Sequence, residues 1–140
     1  MSNYIWNNDD GKMLLLFTIL LIWISDTGAY LGGNLLGKNK LMPRVSPNKT
    51  IEGFLSAGVL CSLAGAAIYF YMDSRTLLWW ISFSIMIWMV GSVGDLIQSA
   101  VKRKYDVKDS GNILPGHGGA WDRFDSFVMV IPYVILWVSF

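Results

Sequence analysis

Charged residues cut this chain into long apolar stretches. Residues 13–37 hold one charge, Asp26. Residues 53–72 and 76–94 hold none, and Asp95 follows directly. Residues 126–140 hold none. A helix crossing the ~30 Å hydrocarbon core needs about 20 mainly apolar residues. The first three stretches meet that length. The fourth meets it only if its helix begins near Gly119 and takes Asp122, Arg123 and Asp125 into its first turns. Core helices of a soluble bundle keep a wet face and rarely go so far uncharged. The first run does not read as a signal peptide, because Asp26 and Gly28 lie within it and two more runs follow. The pattern predicts an all-α polytopic integral membrane protein. It has about four transmembrane helices and two polar cytoplasmic loops, in a single domain over 1–140.

Four helices leave three connections, over about 38–52, 73–75 and 102–118. In an up-down arrangement the first and third share one side. Lys38, Lys40, Arg44, Lys49, Lys102, Arg103, Lys104, Lys108 and Arg123 fall there, and only Lys12 and Arg75 fall opposite. The positive-inside rule places the first side in the cytoplasm. Helix two is rich in small residues (Ser56, Ala57, Gly58, Ser62, Ala64, Gly65), which let membrane helices approach closely. Tyr69, Tyr71, Trp79 and Trp80 flank the short connection, where an interfacial aromatic belt is expected. Cys61 reads as a small packing residue.

Composition narrows the classes further. Only 15% of residues are charged, against about 25% in an ordinary soluble domain. The 54% hydrophobic content is incompatible with disorder. One cysteine excludes a disulfide framework. A net charge of +1 excludes a broad basic surface for nucleic acid.

The scarce charges cluster in two segments. Around the third connection, Asp95, Ser99 and Lys102 are spaced i, i+4, i+7 and share a face if helix three continues to Lys102. Asp122 and Asp125 share a face at the start of helix four, with Ser126. Between them, Pro115-Gly116-His117-Gly118-Gly119 is a flexible turn whose backbone N–H groups can hold an anion at a helix start. Carboxylates among lysines and arginines beside a membrane suit a hard cation and phosphates. The competing reading is a solvated basic loop obeying the topology rule, but that rule has no use for the interleaved aspartates. The first connection carries Ser46-Pro47-Asn48-Lys49-Thr50-Ile51-Glu52-Gly53. It lacks the spacing of a P-loop. Ser46 or Thr50 either caps helix two or faces a ligand. Asp26 is either an interfacial residue in water or a carboxylate facing a polar partner.

These segments resemble the phosphatidate cytidylyltransferase (CDP-diacylglycerol synthase) family. Ser99, Lys102-Arg103, Lys108-Asp109, Gly111, Pro115-Gly116-His117-Gly118-Gly119, Asp122-Arg123, Asp125 and Ser126 match its long composite signature in order and spacing. Gly94-Asp95-Leu96, Asp26-Thr27-Gly28-Ala29-Tyr30 and the segment from Ser46 to Gly53 match further family segments. The resemblance implies a membrane enzyme that transfers CMP from CTP to phosphatidate, releasing pyrophosphate. It implies magnesium in a paired centre that takes a second, monovalent or divalent, cation. By motif, Asp95, Asp122 and Asp125 are the metal and catalytic carboxylates, with Lys102 and Arg103 catalytic. Ser46, Lys49, Thr50, Ser99, Lys108, Asp109, His117, Gly118, Arg123 and Asp26 are substrate-binding. Family members are longer. The resemblance therefore implies their C-terminal catalytic half, without the N-terminal helices, as a fragment, a natural split subunit or a minimal form, with a homodimer or an N-terminal partner subunit as the candidate partners.

Two other classes compete. One is a non-catalytic membrane subunit that binds anionic lipid. The other is a different CTP-dependent lipid enzyme, such as a polyprenol kinase. The aspartate pattern of a CDP-alcohol phosphotransferase is absent.

Overall fold

The computed structural model describes residues 8–72, 75–104 and 121–139. Four helices run α1 (Asn8–Leu36), α2 (Ile51–Tyr71), α3 (Leu77–Lys104) and α4 (Trp121–Ser139). Three of them are long and apolar enough to cross a membrane, and α4 has a shorter apolar stretch, Phe127–Trp137. At 1.5 Å per residue, α2 is about 32 Å long and matches the hydrocarbon core. By the same rise α1 and α3 exceed 40 Å, and so project beyond the core or tilt within it. The helices alternate in direction, and each packs mainly on its chain neighbours.

Their outward faces are apolar. Trp23, Leu35, Phe70, Tyr71 and Leu78 are all more than 70% exposed. A water-soluble monomer rarely shows such a continuous apolar surface. Lipid solvates it without cost.

The interior is packed through small residues. Gly28 and Gly32 of α1 lie directly against Ala57 and Ser56 of α2, and Gly53 lies against Ala29 and Gly33. A Cβ on Gly53 would stand 2.6 Å from the Ala29 carbonyl oxygen. The Ser56 hydroxyl donates to the Gly28 carbonyl at 2.9 Å, adding an interhelical hydrogen bond to the contact. Between α2 and α3, Gly58 receives the Trp88 ring, and the Trp88 indole N–H donates to the Phe54 carbonyl at 3.1 Å. Cys61 is fully buried, with its thiol against the Ser84 carbonyl at 3.3 Å. Gly94 admits Met129 of α4. These contacts bear out the small-residue reading of helix two.

The belt reading holds only in part. Tyr71 faces outward, but Trp80 is 1% exposed and sits in the core with Phe17, Trp79 and Phe83 around it. Its position on α3 turns it toward α1, and packing area outweighs interfacial anchoring there. Trp79 stacks on Phe83 and carries the Arg75 guanidinium 5.2 Å from its ring centroid.

One element has no counterpart in the sequence reading. The connection between α1 and α2 holds an antiparallel hairpin, β1 (Lys40–Met42) and β2 (Ser46–Thr50). Lys40 pairs with Thr50 and Met42 with Ser46, so β2 has extra residues opposite Leu41 and bulges. Pro47 falls in that bulged stretch, where its missing N–H breaks no ladder bond. The hairpin is fixed at its base. The Glu52 carboxylate accepts both the backbone N–H of Asn39, at 3.2 Å, and its side-chain amide, at 2.9 Å. The Ile51 N–H donates to the Asn39 carbonyl at 3.0 Å.

Two outcomes test this packing. Gly53→Ala is expected to destabilise the chain by about 1–3 kcal/mol, the usual cost of overpacking, because the clash is with backbone. Gly91→Ala meets only Val130 at 3.7 Å and should instead stabilise by about 0.5–1 kcal/mol through helix propensity. Thermal unfolding in one detergent separates the two signs. Glu52→Ala should free the hairpin base, and trypsin should then cut at the exposed Lys38, Lys40 and Arg44 several-fold faster than in the parent chain.

Candidate active site

Described polar residues of the two motif segments meet at one end of the bundle. α1 and α3 end there, α2 and α4 begin there, and the hairpin covers it. The α1–α2 crossing sets its position. Gly33 and Gly37 lie against Thr50, so β2 joins α2 directly beside the end of α1. Thr50 is the N-cap of α2, and its hydroxyl accepts the Gly53 N–H at 3.1 Å. The side chain is buried, so the capping alternative is the one its geometry displays.

Lys49 is the residue before that cap. Its ammonium donates to Asp95 Oδ2 on α3, forming an ion pair across 46 residues of sequence. Both side chains keep about a third of their surface exposed, at 29% and 35%. A pair at this exposure contributes little to stability on its own.

Beyond Asp95, α3 continues for nine residues, about 13 Å, and carries Ser99, Lys102, Arg103 and Lys104. Asp95, Ser99 and Lys102 are all half-buried, whereas Ile97, Ala100 and Arg103 are exposed. The i, i+4, i+7 face expected for them therefore exists, and it faces the bundle. The Arg103 Nε–H donates to the Val45 carbonyl of the hairpin turn at 3.5 Å, a long bond that still joins the two segments. Ser46 is half-buried at the start of β2.

α4 begins at Trp121, two residues from the expected start, so Asp122, Arg123 and Asp125 lie in its first turns. The contacts of Gly91 with Val130 and of Gly94 with Met129 run α4 antiparallel to α3. They bring its N-terminal turns to the polar end. Lys108, Asp109, His117 and Gly118 lie outside the described residues.

Asp26 is placed differently. It is exposed on α1, seven residues and about 10 Å along the helix from Gly33, and so lies deeper along the bundle than the level of Thr50.

No group of three His, Cys, Asp or Glu side chains able to hold a metal occurs among the described residues. The described carboxylate at the polar end of α3 is Asp95. Carboxylate oxygens are the donors a hard divalent cation takes, and magnesium commonly uses only one or two, with phosphate and water oxygens completing its shell. Among the described residues Asp95 thus offers one donor of the kind magnesium takes.

The hairpin, the Lys49–Asp95 pair and the Arg103–Val45 bond escaped the sequence reading. The strand β1 is too short to show alternation, and partners so far apart in sequence leave no local signal.

Comparison with known proteins identifies the family. The family model described as the cytidylyltransferase family matches residues 1–140. A phosphatidate cytidylyltransferase of Staphylococcus epidermidis is 50% identical over 125 residues, covering 88% of this chain and 48% of the relative. Those of Staphylococcus haemolyticus and Staphylococcus aureus are 49% and 47% identical over the same length. The chain thus spans about half the length of the curated relatives it matches, and aligns with their C-terminal half. Whole-length agreement with the family model establishes that this chain belongs to the cytidylyltransferase family.

Proposed function

We propose that this chain is the catalytic half of a phosphatidate cytidylyltransferase, which transfers CMP from CTP to phosphatidate and yields CDP-diacylglycerol and pyrophosphate. The observation that carries this reading is the Lys49–Asp95 contact. It joins the two motif segments at one end of the helices in a chain half identical to enzymes of that name.

In the reaction, a phosphate oxygen of phosphatidate attacks the α-phosphorus of CTP. The new P–O bond forms in line with the bond to the β-phosphate, which breaks, and pyrophosphate leaves. The attacking phosphate is already an anion, so no strong base is needed. The protein's task is positioning and charge neutralisation. Arg103 and Lys102 on the projecting end of α3 bind phosphate oxygens, with Lys49 from the hairpin, and Lys108 and Arg123 are assigned the same role by motif. Ser46, Ser99, Asp109, His117 and Gly118 complete the polar wall, and Thr50 shapes it through the cap of α2. Asp26, farther along α1, is assigned to the lipid side. Asp95, Asp122 and Asp125 would hold magnesium and a second cation. A bound divalent cation supplies charge neutralisation and alignment of phosphate oxygens.

The positive-inside rule supports a cytoplasmic site, where CTP is available. The helices that fill the other half of the longer relatives would complete the lipid-facing wall, from the same or a separate polypeptide or a second copy of this chain.

The test is synthesis of CDP-diacylglycerol from cytidine-labelled CTP, phosphatidate and magnesium. It is run with the purified chain, alone and with the N-terminal half of the S. epidermidis relative. Label should reach the lipid in at least one arm. Transfer of γ-phosphate label alone would identify a kinase, and lipid binding without any transfer would identify a non-catalytic subunit. In the active arm, Asp95→Asn and Asp122→Asn should each lower turnover more than about 100-fold, beyond the effect typical of outer-shell partners of a metal. Arg103→Ala should raise the KM for CTP by about tenfold, the loss of one hydrogen bond to a charged group. Chelation of divalent cations should abolish transfer, and added magnesium should restore it.

A further inference from the structure

Asp95 faces two claims. Its Oδ2 takes the Lys49 ammonium, and the same carboxylate is a proposed ligand of a divalent cation. The two claims compete, because an ammonium and a dication on one carboxylate repel each other at short range.

The surroundings let Lys49 leave. Its side chain is a flexible four-carbon stem ending in a compact charge. The pair is partly exposed at the polar end and not sealed in the core. The hairpin that carries Lys49 is held by other bonds: the Thr50 cap, the Glu52–Asn39 clamp and the Arg103–Val45 contact. Lys49 can therefore swing while its backbone stays in place.

We propose that Lys49 is an exchangeable counter-ion of Asp95. It occupies the carboxylate while the site is empty, and moves onto the triphosphate when a nucleoside triphosphate arrives with its divalent cation. This rests on the reading of Asp95 as a metal ligand.

The consequence is a coupling between two ligands. A divalent cation alone must expel an ammonium that has no anion to receive it, so it binds weakly. With the triphosphate present, the ammonium has a new partner and the cation binds tightly. Linkage requires the reverse as well, so the cation raises affinity for the triphosphate by the same factor. The site would then load the metal–nucleotide complex in preference to either component. The exchange forms and breaks only ionic contacts.

The test is titration of the purified full chain in nanodiscs with Mn²⁺, read by the EPR signal of the free ion, with and without CTP and with no phosphatidate, each curve corrected for Mn²⁺–CTP formation measured with empty nanodiscs. The parent chain should bind Mn²⁺ about tenfold more tightly with CTP, within the usual range of coupling. Without CTP, Lys49→Met should bind Mn²⁺ about tenfold more tightly than the parent, and its CTP coupling should largely vanish. Lys49→Arg, which keeps the charge, should retain most of the coupling. If Lys49→Met binds Mn²⁺ no better than the parent while Asp95→Asn abolishes binding, the exchange is overturned and Asp95 remains a metal ligand. If Asp95→Asn leaves Mn²⁺ affinity unchanged, the metal reading falls and the exchange falls with it.

A second measurement needs no variant. Acylation of Lys49 by an amine reagent, read by peptide mass spectrometry, should be slow in the metal-free chain. It should become fast with Mn²⁺ at saturating concentration and slow again when CTP is added. Equal reactivity in all three states overturns the proposal.

Discussion

The close approach of α1 to α2 governs the rest of the molecule. Gly28, Gly32, Gly33 and Gly53 leave only small gaps between the two backbones. In hydrocarbon there is no hydrophobic force between helices, so van der Waals contact and interhelical hydrogen bonds must supply the attraction. The Ser56 bond to the Gly28 carbonyl is one such bond. With the helices in contact, Thr50 is forced beside Gly33 and Gly37 at the end of α1. The hairpin that links them has nowhere to go but across the end of the bundle. There Lys49 reaches α3. A wider crossing would move the hairpin away and leave Asp95 without its partner.

Much of the architecture is legible in the sequence because the bilayer imposes a simple rule. Backbone polar groups in hydrocarbon must be satisfied within the segment, so an uncharged run of about 20 residues becomes a helix. The runs 53–72 and 76–94 became α2 and α3 with boundaries close to those expected. The expected face of Asp95, Ser99 and Lys102 is present because α3 stays helical past the apolar run. The hairpin is a different matter. Its strands are short, it carries Pro43 and Pro47, and its register is irregular, so no period of two was there to read. Trp80 shows a second limit. Composition places tryptophan near a membrane surface, but only the three-dimensional neighbours of a given residue decide whether it points to lipid or to the core.

Site residues divide along the same line. Those on helices, such as Asp95, can be placed from spacing alone. Their partners cannot, because Lys49 and Asp95 are joined only through the α1–α2 crossing and the hairpin. Thr50 illustrates how geometry selects between two sequence readings. Its hydroxyl caps α2, and that cap holds the neighbouring Lys49 in register.

The projection of α3 past Asp95 bears on where a lipid reaction can take place. The Lys49–Asp95 pair lies level with the start of α2, whose length matches the hydrocarbon core, and the basic turn of α3 rises about 13 Å above it. On the function proposed above, the reacting groups therefore sit at the depth of phospholipid headgroups. Withdrawing an acyl chain from a bilayer forfeits about 0.8 kcal/mol per methylene, a prohibitive sum for a two-chain lipid. At this depth the substrate keeps its tails in the membrane, and the water-soluble nucleotide makes the whole journey.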